Sequence, residues 1–349
     1  MWLQTPTRSR WDQVLGHFPS SIKTLIYTLR GYKIGRRVKF ARGAGVGGRN
    51  VKIGDGSVIG AGSFIRGEDI QIGRNVVIGE RTIIKARRIE LRDGARITSR
   101  VRVLGFEHPE SAFTMGRNSI LMYDSYVDSS RSVRIGDDAG VGGYCLLFTH
   151  AAWLSAFEGY PVEFADIIIG DSAWLPWRIT VLPGSRVGAG AVIGTHSVVR
   201  SSIPDRCLAV GTPARVIRGP DAFTRPNKAD SIALFRRVLD DFVGCVQIHG
   251  IEIRRNSNIW EFIAPRRRFS RVRTERALIC EEEMQSSPGV AIDLLLSLAP
   301  VGVELRSKLD KQSISWLDLE ARERSASLPR AGKAFVEFVV RYGVRFTPG

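Results

Sequence analysis

The feature that most constrains this chain is a ruler written in aliphatic residues. Ile34, Ile53, Ile72 and Leu91 stand 19 residues apart, and between them apolar residues recur in steps of six, six and seven. The series reads Ile34, Phe40, Val46; Ile53, Ile59, Ile65; Ile72, Ile78, Ile84; Leu91, Ile97, Val103. After an interruption at 104–114 it resumes as Met115, Leu121, Val127; Ile135, Val141, Leu147. A second break at 148–168 precedes Ile169, Leu175, Val181; Val187, Ile193, Val199. Many of these beats are followed directly by glycine, as at Gly54, Gly60, Gly73, Gly79, Gly142 and Gly194.

A helix would repeat apolar residues every three and four positions, and a half-buried strand every two. One inward aliphatic per six residues describes a short flat strand followed by a corner. Three such sides close into a triangular coil of roughly eighteen residues, the period of the hexapeptide β-helix. Glycine suits corners that need positive φ or close backbone approach, and 36 of 349 residues are glycine. The expectation is about eight coils over residues 34–199. A solenoid has two open ends that need cover. Residues 10–31, within an N-terminal segment 1–33, contain an amphipathic stretch (Ile22, Leu25, Ile26, Leu29) suited to cap the first coil. The basic residues of that stretch also suit peripheral contact with a membrane surface.

The net charge is +16, and residues 1–50 hold ten Lys or Arg against Asp12 alone. Such a field favours anionic partners. Helix-turn-helix, zinc-finger and aromatic RNA-binding signatures are absent from the sequence, which argues against nucleic acid. No apolar run approaches the ~20 residues that span a bilayer, and the first residues lack the order of a secretory signal. The expected location is the cytoplasm, with membrane association through the basic end. Cys145, Cys207, Cys245 and Cys280 are scattered without a CxxC pair, as befits reduced thiols rather than a disulfide framework or zinc site.

Residues 170–218 carry an ordered set of motifs. They are Trp174, Val181-Leu182-Pro183-Gly184, Ile193-Gly194-Thr195-His196-Ser197-Val198-Val199, Ile203-Pro204, and Gly211-Thr212-Pro213-Ala214-Arg215-Val216-Ile217-Arg218. On these, the chain resembles the hexapeptide-repeat acyltransferase family over residues 30–218, most closely its sugar and surface-polysaccharide O-acetyltransferases. The resemblance implies a left-handed parallel β-helix over residues 34–220. It also implies a homotrimer with acetyl-CoA in a groove between neighbouring subunits. By the same resemblance, His150 before the second break is the catalytic base, and Asp128, 22 residues earlier, binds the acceptor. Trp174 matches the residue lining the pantetheine channel, Thr195 and Arg200 positions along the coenzyme's path, and Arg215 and Arg218 residues near its adenosine phosphates. The sequence departs from the family at Pro176-Trp177, after Trp174-Leu175, and at Thr195-His196. A proline has no N–H to donate, and the larger side chains add bulk to the groove wall.

The chemistry asks for a base near neutral pH, and imidazole, with an unperturbed pKa of ~6.5, is suited to that. The thioester is already activated, so neither a metal nor a covalent intermediate is needed. The five histidines are too dispersed for a three-histidine zinc site. The loop after His150 is rich in aromatic and acidic residues, among them Trp153, Phe157, Glu158 and Tyr160. Trp153 and Glu158 are its candidate acceptor contacts, since sugars stack on aromatic faces and hydrogen-bond to carboxylates.

After Gly219-Pro220 the beat ends. Residues 221–349 read as an α+β accessory domain without a recognised motif. The pattern predicts a helix over 229–243, strands in VQIHGIEIR, IWEFIAP and RVRTERALICEEE, a helix over 288–299, strands near VGVELRS and SWLDLE, and a closing helix after Pro329. Pro265-Arg266-Arg267-Arg268 is a basic run.

The leading reading is an acetyl-CoA-dependent O-acetyltransferase acting on a sugar or glycan hydroxyl. Two others stay open. One is acyl transfer to an amino sugar or from an acyl carrier protein. The other is a non-catalytic scaffold whose groove is filled by Trp177 and His196.

Overall fold

The computed structural model describes residues 15–348 apart from 107, 153, 225, 264–273, 285, 287, 289, 290, 343 and 345. The chain divides into two compact units, Met1–Thr224 and Arg225–Gly349.

The first unit is a parallel β-helix with three sides, built as sheets of eight, ten and eight strands. Each coil stacks on the next in register: Ile34 pairs Ile53, Ile53 pairs Ile72, Ile72 pairs Leu91, and the column continues through Met115, Ile135, Ile169 and Val187. From Phe40 onward every beat residue is at most 3% exposed. Ile34, on the terminal strand, is only partly buried. At about 1.5–3 kcal/mol for each aliphatic side chain removed from water, this column drives the winding.

The seventh residue of each period also has a structural role. Strands of the first side, such as Asn50–Ile53 and Asp69–Ile72, carry a second inward residue two places earlier. Val51, Ile70, Ile89, Phe113 and Val133 form this second column and are at most 5% exposed. Alternation with period two thus operates inside one side of a coil whose sides repeat by six and seven.

Two of the three corners use a left-handed residue in nearly every coil, among them Asn75, Gly94 and Asn118 at one, and Arg81, Arg100 and Tyr144 at the other. Positive φ therefore does not require glycine here. The glycines directly after the beats meet the other demand. A Cβ on Gly54 would lie 2.6 Å from the Gly73 carbonyl carbon, and one on Gly142 would lie 1.3 Å from the Pro176 oxygen. The third corner, between the third side and the first side of the next coil, takes both inserted segments, 104–114 and 148–168.

The helix Ser20–Leu29 covers the first coil, but of the face the sequence suggests only Ile26 packs against it. Lys23 and Tyr27 enter the open end and are 0% and 1% exposed, whereas Leu25 and Leu29 face away at 59% and 78%. Lys23 Nζ donates to the carbonyls of Ala41 and Ala44 at 2.7 and 3.2 Å, and the Tyr27 hydroxyl accepts from Val46 N–H at 3.1 Å. The end of a β-helix presents unpaired backbone polar groups, and these select polar caps over aliphatic ones. At the other end, Arg215–Arg218 turns back antiparallel on Leu208–Val210.

The second unit is a seven-stranded mixed sheet. Helices Lys228–Ile248 and Arg330–Val339 share a core with Phe242, Trp260, Phe262, Phe335 and Phe338. Helix Val303–Lys311 joins a separate core with Leu295, Leu309 and Trp316. Three expectations fail here. Residues 294–297 form a strand, not a helix: Leu294–Ser297 is parallel to both neighbours and all four residues are buried, so its apolar run shows no alternation. Val303–Lys311 is a helix, not a strand, and the first helix runs on through Val246-Gln247-Ile248. The run Pro265–Arg268 lies outside the described residues.

Candidate active site

Pairing of Val127 with Leu147 on the third side sets Asp128 and the chain leading to His150 on adjacent coils. The strand then leaves the solenoid at the third corner. His150-Ala151 pairs antiparallel with Glu163-Phe164, so the 148–168 segment goes out and returns to the same place.

His150 Nδ1 lies 2.5 Å from Asp128 Oδ2. Asp128 is 0% exposed, while the imidazole is 24% exposed. A buried carboxylate needs donors, and four more are present. Thr149 N–H and Oγ–H reach Oδ2 at 3.0 and 2.7 Å, and Ser130 N–H and Oγ–H reach Oδ1 at 3.2 and 2.6 Å. The Thr149 hydroxyl in turn accepts from Arg131 N–H at 3.1 Å. Two aromatic rings hold the imidazole: Phe106 meets it edge-on at 4.9 Å between centroids, and Phe164 stacks on it at 5.7 Å. The Phe106 N–H donates to Ser130 Oγ at 2.9 Å, and Arg131 pairs with Glu110, so the 104–114 insertion is fastened to this corner. Nearby, burial and then the Asp128 charge raise the Tyr126 phenol above its ordinary range. Burial likewise raises the Cys145 thiol, which keeps it protonated and unreactive.

A cleft of about 710 Å³ runs along the third corner toward the first coil, lined by Arg49, Arg66, Lys85, Arg87, Phe106 and His108 among others. Its Phe106 is the ring that touches His150.

The structure thus joins His150 with Asp128. Asp128 is buried, and both its oxygens are engaged by His150, Thr149 and Ser130. Ser130, Thr149, Phe106 and Phe164 went unassigned in the sequence. The adjacency of Thr149 to His150 and of Ser130 to Asp128 was the available signal. Glu158 is exposed in a short turn, Ala156–Glu158, well along the projecting loop. Trp153 lies outside the described residues.

The expected coenzyme residues fall elsewhere on the prism. Trp174 sits on the second side between Gly140 and Val192 and is 57% exposed. Arg215 and Arg218, both exposed, extend the same sheet three strands further on. Thr195 is at the corner joining the second and third sides, while Arg200 follows the last strand of the third side toward the His150 corner. Trp177 packs at that second corner on Tyr123 and Tyr144, with centroids 5.1 and 6.0 Å apart, and His196 N–H donates to the Trp177 carbonyl at 3.1 Å. Within one chain, the whole third side separates the Trp174 column from His150. No cluster of three or more metal-ligating side chains exists among the described residues.

Repeat period, three parallel sheets and corner glycines make this chain a hexapeptide-repeat β-helix protein, and curated relatives that it matches over part of its length are named probable or putative acetyltransferases. No family model matches the chain. It is 30% identical over 114 residues to a probable acetyltransferase, Rv3034c, of Mycobacterium tuberculosis, covering 31% of this chain and 38% of that protein. It is 34% identical over 104 residues to the putative lipopolysaccharide biosynthesis O-acetyl transferase WbbJ of Escherichia coli K12, covering 27% and 53% respectively. The chain therefore spans about half or less of the length of these curated relatives. Among solved structures it matches the polySia-specific acetyltransferase NeuO at 19% identity and a TM-score of 0.35, over 63% of this chain and 92% of that one.

Proposed function

We propose that the protein is an acetyl-CoA-dependent O-acetyltransferase acting on a hydroxyl of a sugar or surface-polysaccharide precursor. The observation that carries this reading is the imidazole at the third corner, held through Nδ1 by a buried carboxylate. That geometry leaves Nε2 to accept a proton, as a general base requires. The names of the relatives support acetyl transfer, and one of them supports an oxygen acceptor.

In this reading the acceptor approaches along the cleft that ends at Phe106. His150 Nε2 takes the hydroxyl proton as the oxygen attacks the thioester carbonyl. The tetrahedral intermediate collapses, the carbon–sulfur bond breaks, and the imidazolium returns its proton to the departing thiolate. Asp128 fixes the ring and balances its charge while it is protonated. Coenzyme lies between two chains of a homotrimer, with the Trp174 side of one facing the His150 corner of the next. This arrangement reconciles two residue groups that one chain keeps apart.

The test is His150→Ala, assayed with labelled acetyl-CoA against a panel of sugars, nucleotide-linked sugars and lipid-linked glycans. Turnover should fall by about 10²–10⁴-fold, with acetyl-CoA binding retained by calorimetry. Unchanged turnover removes the base assignment. Failure of the unsubstituted protein to bind acetyl-CoA leaves the scaffold reading in its place.

A further inference from the structure

The outer face of the capping helix is apolar. Lys23 and Tyr27 enter the first coil, and at 100° per residue Leu25 lies nearly opposite them, with Ile22 and Leu29 beside it. Ile22, Leu25 and Leu29 are 39%, 59% and 78% exposed, and Phe18, just before the helix, is 42% exposed. This stripe points away from the solenoid, at its end.

The coil beneath it is a collar of positive charge. Lys33 stands on the first side, Arg36 and Arg37 at the first corner, Lys39 on the second side, Arg42 at the second corner, and all are exposed. None of these five forms an ion pair among the described residues. From residue 13 to residue 54 the sequence contains no Asp or Glu. Asp55 of the second coil accepts from Arg36 N–H at 2.8 Å, and the five cations still outnumber it around the edge of an apolar end.

Peripheral membrane binding needs these two components together: aliphatic area to enter the interface, and cations to meet anionic headgroups. Nucleic acid would engage the collar but has no use for four exposed apolar side chains. A second copy would have to bring two like-charged collars together. We infer that the N-terminal end of the solenoid docks end-on against an anionic lipid surface, with helix Ser20–Leu29 lying in the headgroup layer. The inference does not rest on the acetyl-transfer reading. His150 leaves the sixth coil, so docking holds the candidate site about five strand spacings, roughly 24 Å, above the first coil.

The experiment is vesicle flotation of the full-length protein, comparing phosphatidylcholine with phosphatidylcholine containing about 30 mol% phosphatidylglycerol. Binding to the anionic vesicles should be at least about tenfold tighter and should weaken when salt is raised about fivefold. Leu25→Glu with Leu29→Glu should abolish it at an unchanged melting temperature. The triple charge reversal Arg36→Glu, Arg37→Glu, Lys39→Glu lies outside the helix, so it tests the same site should the first variant fold poorly. It should weaken binding by at least about tenfold. Equal affinity for both vesicles, or none, overturns the inference, as does full binding by either folded variant. Capture of an RNA oligonucleotide without vesicle binding would make the collar a nucleic-acid surface. Loss of oligomer in the leucine variant without vesicle binding would make the stripe an interface between copies. Either result also overturns it.

Discussion

Asp128 shows how much a single buried group can organise. Its carboxylate holds the imidazole, Thr149 and Ser130, and through Ser130 the start of the 104–114 insertion. Asp128→Asn preserves shape while changing what the ring nitrogen can share. In the proposed mechanism kcat falls by at least about 10²-fold, toward the ~10⁴ seen when a triad Asp is replaced by Asn, while KM for acetyl-CoA holds. A purely structural role would instead lower the melting temperature and leave kcat per folded molecule intact. Gly142 makes the complementary point about space. Its missing Cβ would overlap the Pro176 oxygen, so Gly142→Ala must displace a backbone carbonyl. The expected cost is about 1–3 kcal/mol, measured as a drop in the denaturation midpoint. The glycine was visible in the sequence. Which of the two reasons for a glycine applies there was not, because that depends on the neighbouring coil.

Among the elements, the capping helix and the helix Arg330–Val339 show polar groups closing exposed ends. Lys23 is the more unusual, a lysine at 0% exposure that donates to two carbonyls at the mouth of the solenoid. Lys23→Met keeps the length and removes the donors, leaving buried carbonyls unmet at about 1–3 kcal/mol. The first unit should melt several degrees lower, while Leu25→Ser on the opposite face should leave the melting temperature unchanged. Glu275 does the equivalent service in the second unit, where its carboxylate accepts from the first two N–H groups of Arg330–Val339 at 3.1 and 2.7 Å. Glu275→Ala should destabilise that unit by about 0.5–2 kcal/mol in chemical denaturation. The amphipathic pattern of the cap was legible, but its polarity was misread. An apolar stripe looks like the buried face until one knows that the surface being covered consists of backbone carbonyls.

For the whole molecule, the separation of Trp174 from His150 on one chain makes the proposed site an intermolecular one. Co-expression of His150→Ala with Trp174→Ala chains should then restore part of the activity, because mixed trimers contain some grooves with neither substitution. Homogeneous preparations of each should stay inactive, and sedimentation should give a trimer mass. A monomer, or mixed preparations no more active than their parents, would refute the arrangement.

The winding was legible from the sequence because one-dimensional spacing maps directly onto a solenoid: each coil contacts only its neighbours, so local period and tertiary contact are nearly the same information. That logic located the breaks, and with them His150, in the correct corner. It failed where contacts are long-range. The strand Leu294–Ser297 is buried between parallel neighbours, and its run of leucines could not be told from a helix by period alone. The burial of Asp128, the rings of Phe106 and Phe164 around the imidazole, and the outward turn of Leu25 and Leu29 were likewise decided only by the tertiary structure. Each depends on which groups a different coil, insertion or open end presents across space, and spacing along one chain carries no record of that.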